Sequence, residues 1–252
     1  MEYFVKEQSI VRKIWGKSDT ILFIFGGAAA EFAVNKAVDW LYFTGKLPAD
    51  PLGRLFSTVS YARRIVFSKE DDALKAIDTI TSIHKHVENS RGSSIPDWAY
   101  RDVLYMLIHY SIASFELLER KLTDDEKEEL FDVFNRMGSR MQLKELPKNY
   151  NEWLIARKQH LKENIIKSNY SADLFKQYKK HLGAFRFAVL IEGEILVVPE
   201  EVRELLGFRK FSFLSPILPL YKFSKFIKLD GFIKWLILPP LYRKQINELD
   251  IY

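Results

Sequence analysis

The segment Val103–Tyr110 reads VLYMLIHY, which places apolar side chains on every side of a helix with 3.6 residues per turn. A helix that is apolar all round belongs in the centre of a protein. We therefore predict that a long helix from Asp97 to about Lys121 is the central, buried element of the fold.

On both sides of this segment, apolar residues recur at intervals of three and four, and two-residue alternation is scarce. The pattern predicts an all-α fold, a single globular multi-helix domain that comprises residues 1–252. Gly183 is expected to end the seventh helix, and residues 195–198 to form a short extended piece. The predicted helices are 20–44, 51–67, 69–87, 97–121, 124–141, 151–168, 171–182 and 199–206.

Capping residues mark several of these helix boundaries. Asp50 precedes Pro51, which predicts an N-cap followed by proline in the first helical position. Thr123 and Glu126 have the spacing of a capping box. Ser68 is expected to cap the helix that follows it.

The composition is that of a globular protein with a large core. A chain of 252 residues can enclose an internal cavity, and the 14% aromatic share suggests deep apolar packing or a pocket for a large apolar ligand. The absence of cysteine excludes disulfides, iron–sulfur clusters and thiolate-ligated cofactors. It also fits a reducing compartment, so we expect a cytoplasmic location.

The N-terminal residues Met1–Lys6 lack the pattern of a signal peptide. The most apolar stretch, Ile21–Ala30, stops at Glu31 and is too short to cross a bilayer. The motifs of nucleotide enzymes, zinc proteases and serine hydrolases are also missing, which disfavours those classes.

The C-terminal segment 207–245 is basic and aromatic. Between Gly207 and Lys244 there are eight Lys or Arg, nine aromatic residues and a single acid, Asp230. Because the basic residues alternate with aromatic ones and form no phosphate-facing stripe, we predict no nucleic-acid partner. The segment suggests peripheral contact with an anionic membrane surface. The alternative is that its aromatic residues pack on the core and leave the lysines in water. The residues concerned are Phe223, Phe226, Ile227, Trp235 and Leu238, with Lys222, Lys225, Lys228 and Lys234 between them.

Two of the five histidines are predicted to face the interior. His84 and His86 point about 200° apart on a helix, so they cannot share one metal ion. His84 lies on the apolar stripe and His86 on the polar side, while His109 lies in the central helix. A buried histidine is more often a hydrogen-bonded core residue than a ligand, so both interpretations stay open. His160 and His181 lie near helix C-termini and are assigned no function. The stripe comprises Ala73, Ala76, Ile77, Ile80, Ile83 and Val87.

Three short motifs change this assessment. They are DPLGRLFST at Asp50–Thr58, Ile83-His84 followed by Val87, and Leu107-Ile-His109 on the apolar helix. In this order and spacing they resemble the oxygenase family that includes the latex-clearing rubber oxygenases and the endoplasmic-reticulum oxygenase of mycophenolic acid synthesis. The likeness extends over residues 26–162, with a weaker echo at 235–243.

The resemblance implies an all-helical protein that binds non-covalent haem b. It makes His84 the proximal iron ligand and matches Arg54 and Thr58 to conserved residues of the family. These two residues are four positions apart, so they share a helix face from which they could contact bound oxygen or a haem propionate. His109 becomes a buried residue of the haem pocket.

Two further positions follow from the resemblance. Asp39 is the nearest match to the acid that acts as a base in rubber cleavage. Ser57 replaces a lysine that can cap the iron, which predicts an open or water-bound sixth position. The alternative for the preceding helix is local: Arg54 pairs with Asp50, and Thr58 bonds its own helix backbone. The chain departs from the family pattern at Thr81, Glu88 and Asn35-Lys36.

The function that the resemblance implies is a haem-dependent oxygenase. It would activate O₂ or peroxide and oxidise a hydrophobic or aromatic small molecule. One alternative is a haem or lipid carrier without catalysis, which tolerates two strong protein ligands on the iron. A second is a helical interaction domain without haem, in which His84 is an ordinary core residue.

Overall fold

The computed structural model describes residues 2–45, 49–226, 231, 246 and 248–251. These residues form eleven helices and no strand, which confirms the predicted all-α fold. The helices are α1 (Ile10–Trp15), α2 (Ser18–Ala33), α3 (Val38–Phe43), α4 (Pro51–Phe67), α5 (Glu70–Arg91), α6 (Asp97–Leu118), α7 (Asp124–Arg140), α8 (Tyr150–Glu163), α9 (Asn169–Val197), α10 (Glu200–Leu206) and α11 (Leu218–Phe226).

Helix α6 is the central element, as the apolar segment predicted. It contacts α1, α2, α7, α8 and α9. Tyr105 and Tyr110 are fully buried in it, and only Val103 of the quoted segment is exposed. The neighbours therefore cover this helix on nearly every side, which explains why its sequence has no polar face.

Helices α2 and α9 pack closely against this centre because α2 carries glycine at the contact. A side chain at Gly27 would come within 2.3 Å of the Tyr110 ring. Helix α9 also contacts α3 and α4. The close approach brings polar residues of α2, α6 and α9 into one interior region.

The predicted helix over residues 20–44 is two helices, α2 and α3. Asn35 lies between them, where its Oδ1 accepts a hydrogen bond from the Ala37 backbone N–H at 2.8 Å. Its Nδ2 donates to the buried carboxylate of Asp102 at 2.8 Å. The prediction was wrong because a buried Asn side chain competes with the helix for backbone groups.

One prediction for α9 was right and one was wrong. Gly183, with a non-helical φ of 75°, interrupts the helix as predicted, and a second helical stretch follows this kink and continues to Val197. The predicted extended piece at 195–198 is therefore largely helical. Val197 packs at Gly27, so tertiary contact overrides the local β-branched composition.

The capping predictions were right at two of three positions. The Asp50 side chain accepts the Gly53 N–H, and Thr123 and Glu126 form both bonds of a capping box. Ser68, in contrast, ends α4, and α5 begins two residues later without a side-chain cap. Within the described part of the chain, no helix combines the length and apolarity that a bilayer crossing requires.

Candidate functional site

His84, on α5, is partly buried near Arg54 of α4. Its ring meets the Tyr100 ring edge-on, with 5.1 Å between centroids. The Nδ1 atom is enclosed and has no hydrogen-bond partner. The Nε2 atom has no partner among the described residues either, but it is not enclosed. His84 therefore faces the interior, as predicted, with nitrogen atoms that the protein itself leaves unbonded.

Burial, and then the nearby Arg54, lowers the pKa of His84 to about 4. Glu88 raises the pKa of His84, but its effect is smaller than that of burial or of Arg54. The imidazole is consequently neutral at pH 7, which is the form that donates a lone pair to a metal ion.

Arg54, on α4, carries a positive charge close to His84. Burial lowers the pKa of Arg54. The guanidinium donates one long hydrogen bond, of 3.4 Å, to Ser57 Oγ, and it has no ion pair among the described residues. A desolvated cation without an anion is unfavourable, so this position favours an anionic ligand.

The hydroxyls of Ser57 and Thr58 are engaged with their own helix. Both donate to the Arg54 carbonyl oxygen, at 2.8 and 3.1 Å respectively. For Thr58 this is the local arrangement that the sequence left open as an alternative. For Arg54 the alternative is absent, since Asp50 caps α4 and no Arg54–Asp50 ion pair forms in the described residues.

Asp39 is held by a residue that the sequence analysis did not single out. Its Oδ2 lies 2.6 Å from Arg91 Nη2, and the Arg91 guanidinium lies 4.0 Å from the centroid of Trp40. Arg91 is seven residues beyond His84 on the same helix, two turns away. The structure thus ties Asp39 to the helix of His84, and no described contact joins it to Arg54 or Thr58 themselves.

His109 belongs to a different polar cluster. The imidazole ring packs edge-on against Tyr110, and its Nε2 atom is enclosed without a partner. The His109 side chain also forms a hydrogen bond with the Val197 backbone. Burial, and then Arg157, lowers the pKa of His109 to about 4. No described contact joins His109 to His84, so the two interior histidines belong to separate clusters of side chains.

The centre of that second cluster is a buried ion pair. The two terminal nitrogens of Arg157 each lie 2.5 Å from one carboxylate oxygen of Glu31, and Tyr110 donates to Glu31 at 2.8 Å. Burial opposes the charge, yet Arg157 holds the pKa of Glu31 below its usual value. An acid that interrupts an apolar run, as Glu31 does after Ile21–Ala30, is the sequence signal for such a pair.

Glu194, on α9, adds a buried carboxyl without a counterpart. It is 1% exposed, and neither of its oxygens has a hydrogen-bond partner. Burial raises the pKa of Glu194 well above its usual value, because a buried carboxyl without a partner favours its protonated form. The local sequence Glu192-Gly193-Glu194 does not indicate a buried carboxyl, and the structure places these residues within α9.

One minor prediction about α5 needs correction, and His160 has a partner that the sequence did not indicate. Ile83 was placed on the apolar stripe of α5 but is 42% exposed, whereas His86 is exposed as predicted. His160 pairs with the buried carboxylate of Asp102 through Nδ1. It opens on a surface cleft of about 450 Å³ that also contains Trp98 and Tyr105, and that contains neither His84 nor Arg54.

The His84 region fits a haem better than a bare metal ion. The described residues contain no group of three or more His, Asp or Glu side chains that could hold an ion. A haem iron takes one axial imidazole from the protein, and its propionates are anions. The neutral, unbonded imidazole of His84 and the unpaired cation of Arg54 supply these two kinds of contact.

The fold and this site together define an all-helical domain with a candidate cofactor-binding histidine. The family model described as "ER-bound oxygenase mpaB/B'/Rubber oxygenase, catalytic domain" matches residues 13–213. The chain belongs to this oxygenase family, which confirms the resemblance that the short motifs indicated. The chain matches no curated protein at a significant level.

Proposed function

We propose that this protein is a haem b-dependent oxygenase that uses His84 as its axial ligand. It would oxidise a hydrophobic or aromatic small molecule with O₂ or peroxide. The observation that carries the proposal is the unbonded, neutral imidazole of His84 beside the unpaired Arg54. Membership of the oxygenase family supports the reaction class.

In this proposal the residues of α4 and α5 orient and neutralise the cofactor. His84 donates its lone pair from a face supported by the Tyr100 ring. Arg54 offers positive charge to a propionate or to charge that develops on the oxidant. The bound haem iron would supply the redox chemistry that O₂ activation requires.

Ser57 and Thr58 of α4 are two further residues that would bear on access of an oxidant to the bound cofactor. Ser57 is short and already bonded to its own helix, so it cannot reach out as a cationic side chain would. Thr58 retains hydroxyl lone pairs while its proton bonds the Arg54 carbonyl. Asp39 could accept a proton from a substrate at Oδ1, because Arg91 contacts only Oδ2.

The experiment is haem titration of the purified protein, followed by its visible spectrum. His84→Ala should lose the Soret band of the wild type or shift it strongly. His86→Ala is the matched control, because His86 is exposed on the same helix two residues away, and it should bind haem like the wild type. Equal spectra for wild type and His84→Ala would reject His84 as the ligand.

Carbon monoxide then separates an oxygenase from a carrier. Binding of carbon monoxide to the reduced, haem-loaded protein indicates an exchangeable sixth position, which an oxygenase needs. A spectrum that carbon monoxide does not change would favour a carrier with two strong protein ligands. No haem uptake by the wild type would leave a helical binding domain.

A further inference from the structure

Residues 211–223 expose an unusual concentration of large apolar side chains. Of fourteen large hydrophobic residues that are exposed in the described structure, five lie within residues 211–223. We call these five the C-terminal apolar face. Surface patches of this kind mark interaction sites when they are contiguous. The face comprises Phe211 (58% exposed), Phe213 (64%), Ile217 (50%), Leu220 (69%) and Phe223 (61%).

Helix α11 is attached to the protein by its polar side. Tyr221 donates a hydrogen bond to Asp19 at 3.0 Å, and Lys225 lies 2.9 Å from the same carboxylate and also contacts Glu119. Ser224, between them on this side, is buried. The residues that normally face water are therefore the ones that hold α11 in place.

The apolar side of α11 consequently points away from the protein. Leu220 and Phe223 are three residues apart and lie on the side opposite Tyr221 and Lys225. A surface helix of a globular protein has the reverse arrangement, with its apolar stripe on the core. The ion pairs of Lys225 fix this orientation, so rotation of the helix to bury Leu220 would break them.

The charge around the face indicates what covers it. Residues 207–226 contain no acid. Lys210 and Lys222 are exposed and have no partner among the described residues. Arg209 pairs with Glu192 and stacks on Phe213, with 3.6 Å from Cζ to the ring centroid. Apolar and aromatic side chains flanked by free lysines are complementary to the headgroup region of an anionic bilayer.

We propose that the C-terminal apolar face docks on an anionic lipid bilayer, with Leu220 and Phe223 inserted and Lys210 and Lys222 at the headgroups. The structure refines the hypothesis drawn from segment 207–245, because Lys225 faces the protein and cannot contact lipid. Ile227, Lys228, Lys234, Trp235 and Leu238 lie outside the described residues. The proposal does not depend on the cofactor.

The test is flotation of the full-length protein with vesicles of phosphatidylcholine, with or without phosphatidylserine. Wild type should float with the anionic vesicles and much less with the neutral ones. The double variant Leu220→Ser, Phe223→Ser should bind at least about tenfold more weakly, because two large apolar side chains no longer enter the lipid. Lys210→Glu with Lys222→Glu should remove the preference for phosphatidylserine.

The matched control is Leu154→Ser with Ile155→Ser on α8, which removes apolar side chains that are 45% and 72% exposed elsewhere. It should float like the wild type. Equal flotation of all variants, or no flotation of the wild type, would overturn the proposal. It would also be overturned if the Leu220 and Phe223 variant dissociated a dimer in light scattering, since the face would then be a contact between two copies.

Discussion

Two arginines of this molecule, Arg157 and Arg54, differ in the groups that surround them. Arg157 meets the carboxylate of Glu31 with both terminal nitrogens, inside a cluster that Tyr110 completes. Arg54 shares its surroundings with the imidazole of His84 and meets no carboxylate among the described residues. The charges of the first pair cancel, whereas the Arg54 guanidinium has no ion pair in the part of the chain that the structure describes.

Under the proposed function, this difference corresponds to a structural role for Arg157 and a binding role for Arg54. A buried ion pair that is fully hydrogen-bonded needs nothing from outside, and loss of one partner leaves the other buried and charged. An unpaired, partly buried cation beside an unbonded imidazole is stabilised when an anionic ligand arrives. The predictions below test this distinction, beginning with the largest expected effect.

Arg157→Met should reduce the free energy of unfolding by about 3–5 kcal/mol, because the Glu31 carboxylate remains buried without a partner. Urea denaturation measures the change. The double variant Glu31→Leu, Arg157→Met should recover much of the loss, since it removes both charges. A loss below about 1 kcal/mol in the single variant would contradict a stabilising role for the pair.

Glu194→Gln should change how stability depends on pH. Folded Glu194 keeps its proton above the pH at which the unfolded chain releases it, so its contribution to stability is complete at low pH and declines as pH rises. Relative to wild type, the variant should gain about 1.4 kcal/mol per pH unit above about pH 4.5, up to the pKa of the folded state.

Chemical denaturation of both proteins between mildly acidic and mildly alkaline pH measures this difference. Glu204→Gln, on the exposed surface of α10, is the matched control for loss of a carboxylate. A stability difference between Glu194→Gln and wild type that does not vary with pH would show that Glu194 is ionised in the folded protein.

Arg54→Met should change the free energy of unfolding without cofactor by less than about 1 kcal/mol, in contrast to Arg157→Met, because no buried carboxylate loses its partner. The same change should weaken haem binding roughly tenfold or more through loss of a charge-assisted contact. Haem titration measures the second effect. Unchanged affinity would remove Arg54 from the site.

Arg91→Gln should reduce the free energy of unfolding by about 1 kcal/mol, much less than Arg157→Met. The Arg91–Asp39 pair is partly exposed, so solvent screens it, and the stacking on Trp40 adds a modest amount. Thermal denaturation measures the change. A loss as large as that of Arg157→Met would mean that the pair is effectively buried.

The sequence by itself determined the class of fold and the identity of the candidate ligand. The apolar segment 103–110 specified a central helix, since burial of apolar surface depends on composition and spacing that can be read locally. The caps at Asp50 and Thr123 are also local, because each bonds backbone groups within a few residues. The position of His84 on the inner side of α5 follows from the same periodicity.

Only the tertiary structure decided which polar groups meet. Glu31 and Arg157 are 126 positions apart in the sequence, and Asp39 and Arg91, which also form an ion pair, are 52 positions apart. The outward apolar side of α11 likewise results from ion pairs between Lys225 and two distant helices. Apolar residues can be buried against any apolar neighbour, whereas a buried charge requires one particular partner at hydrogen-bond distance, and that partner is set by the packing of helices remote in sequence.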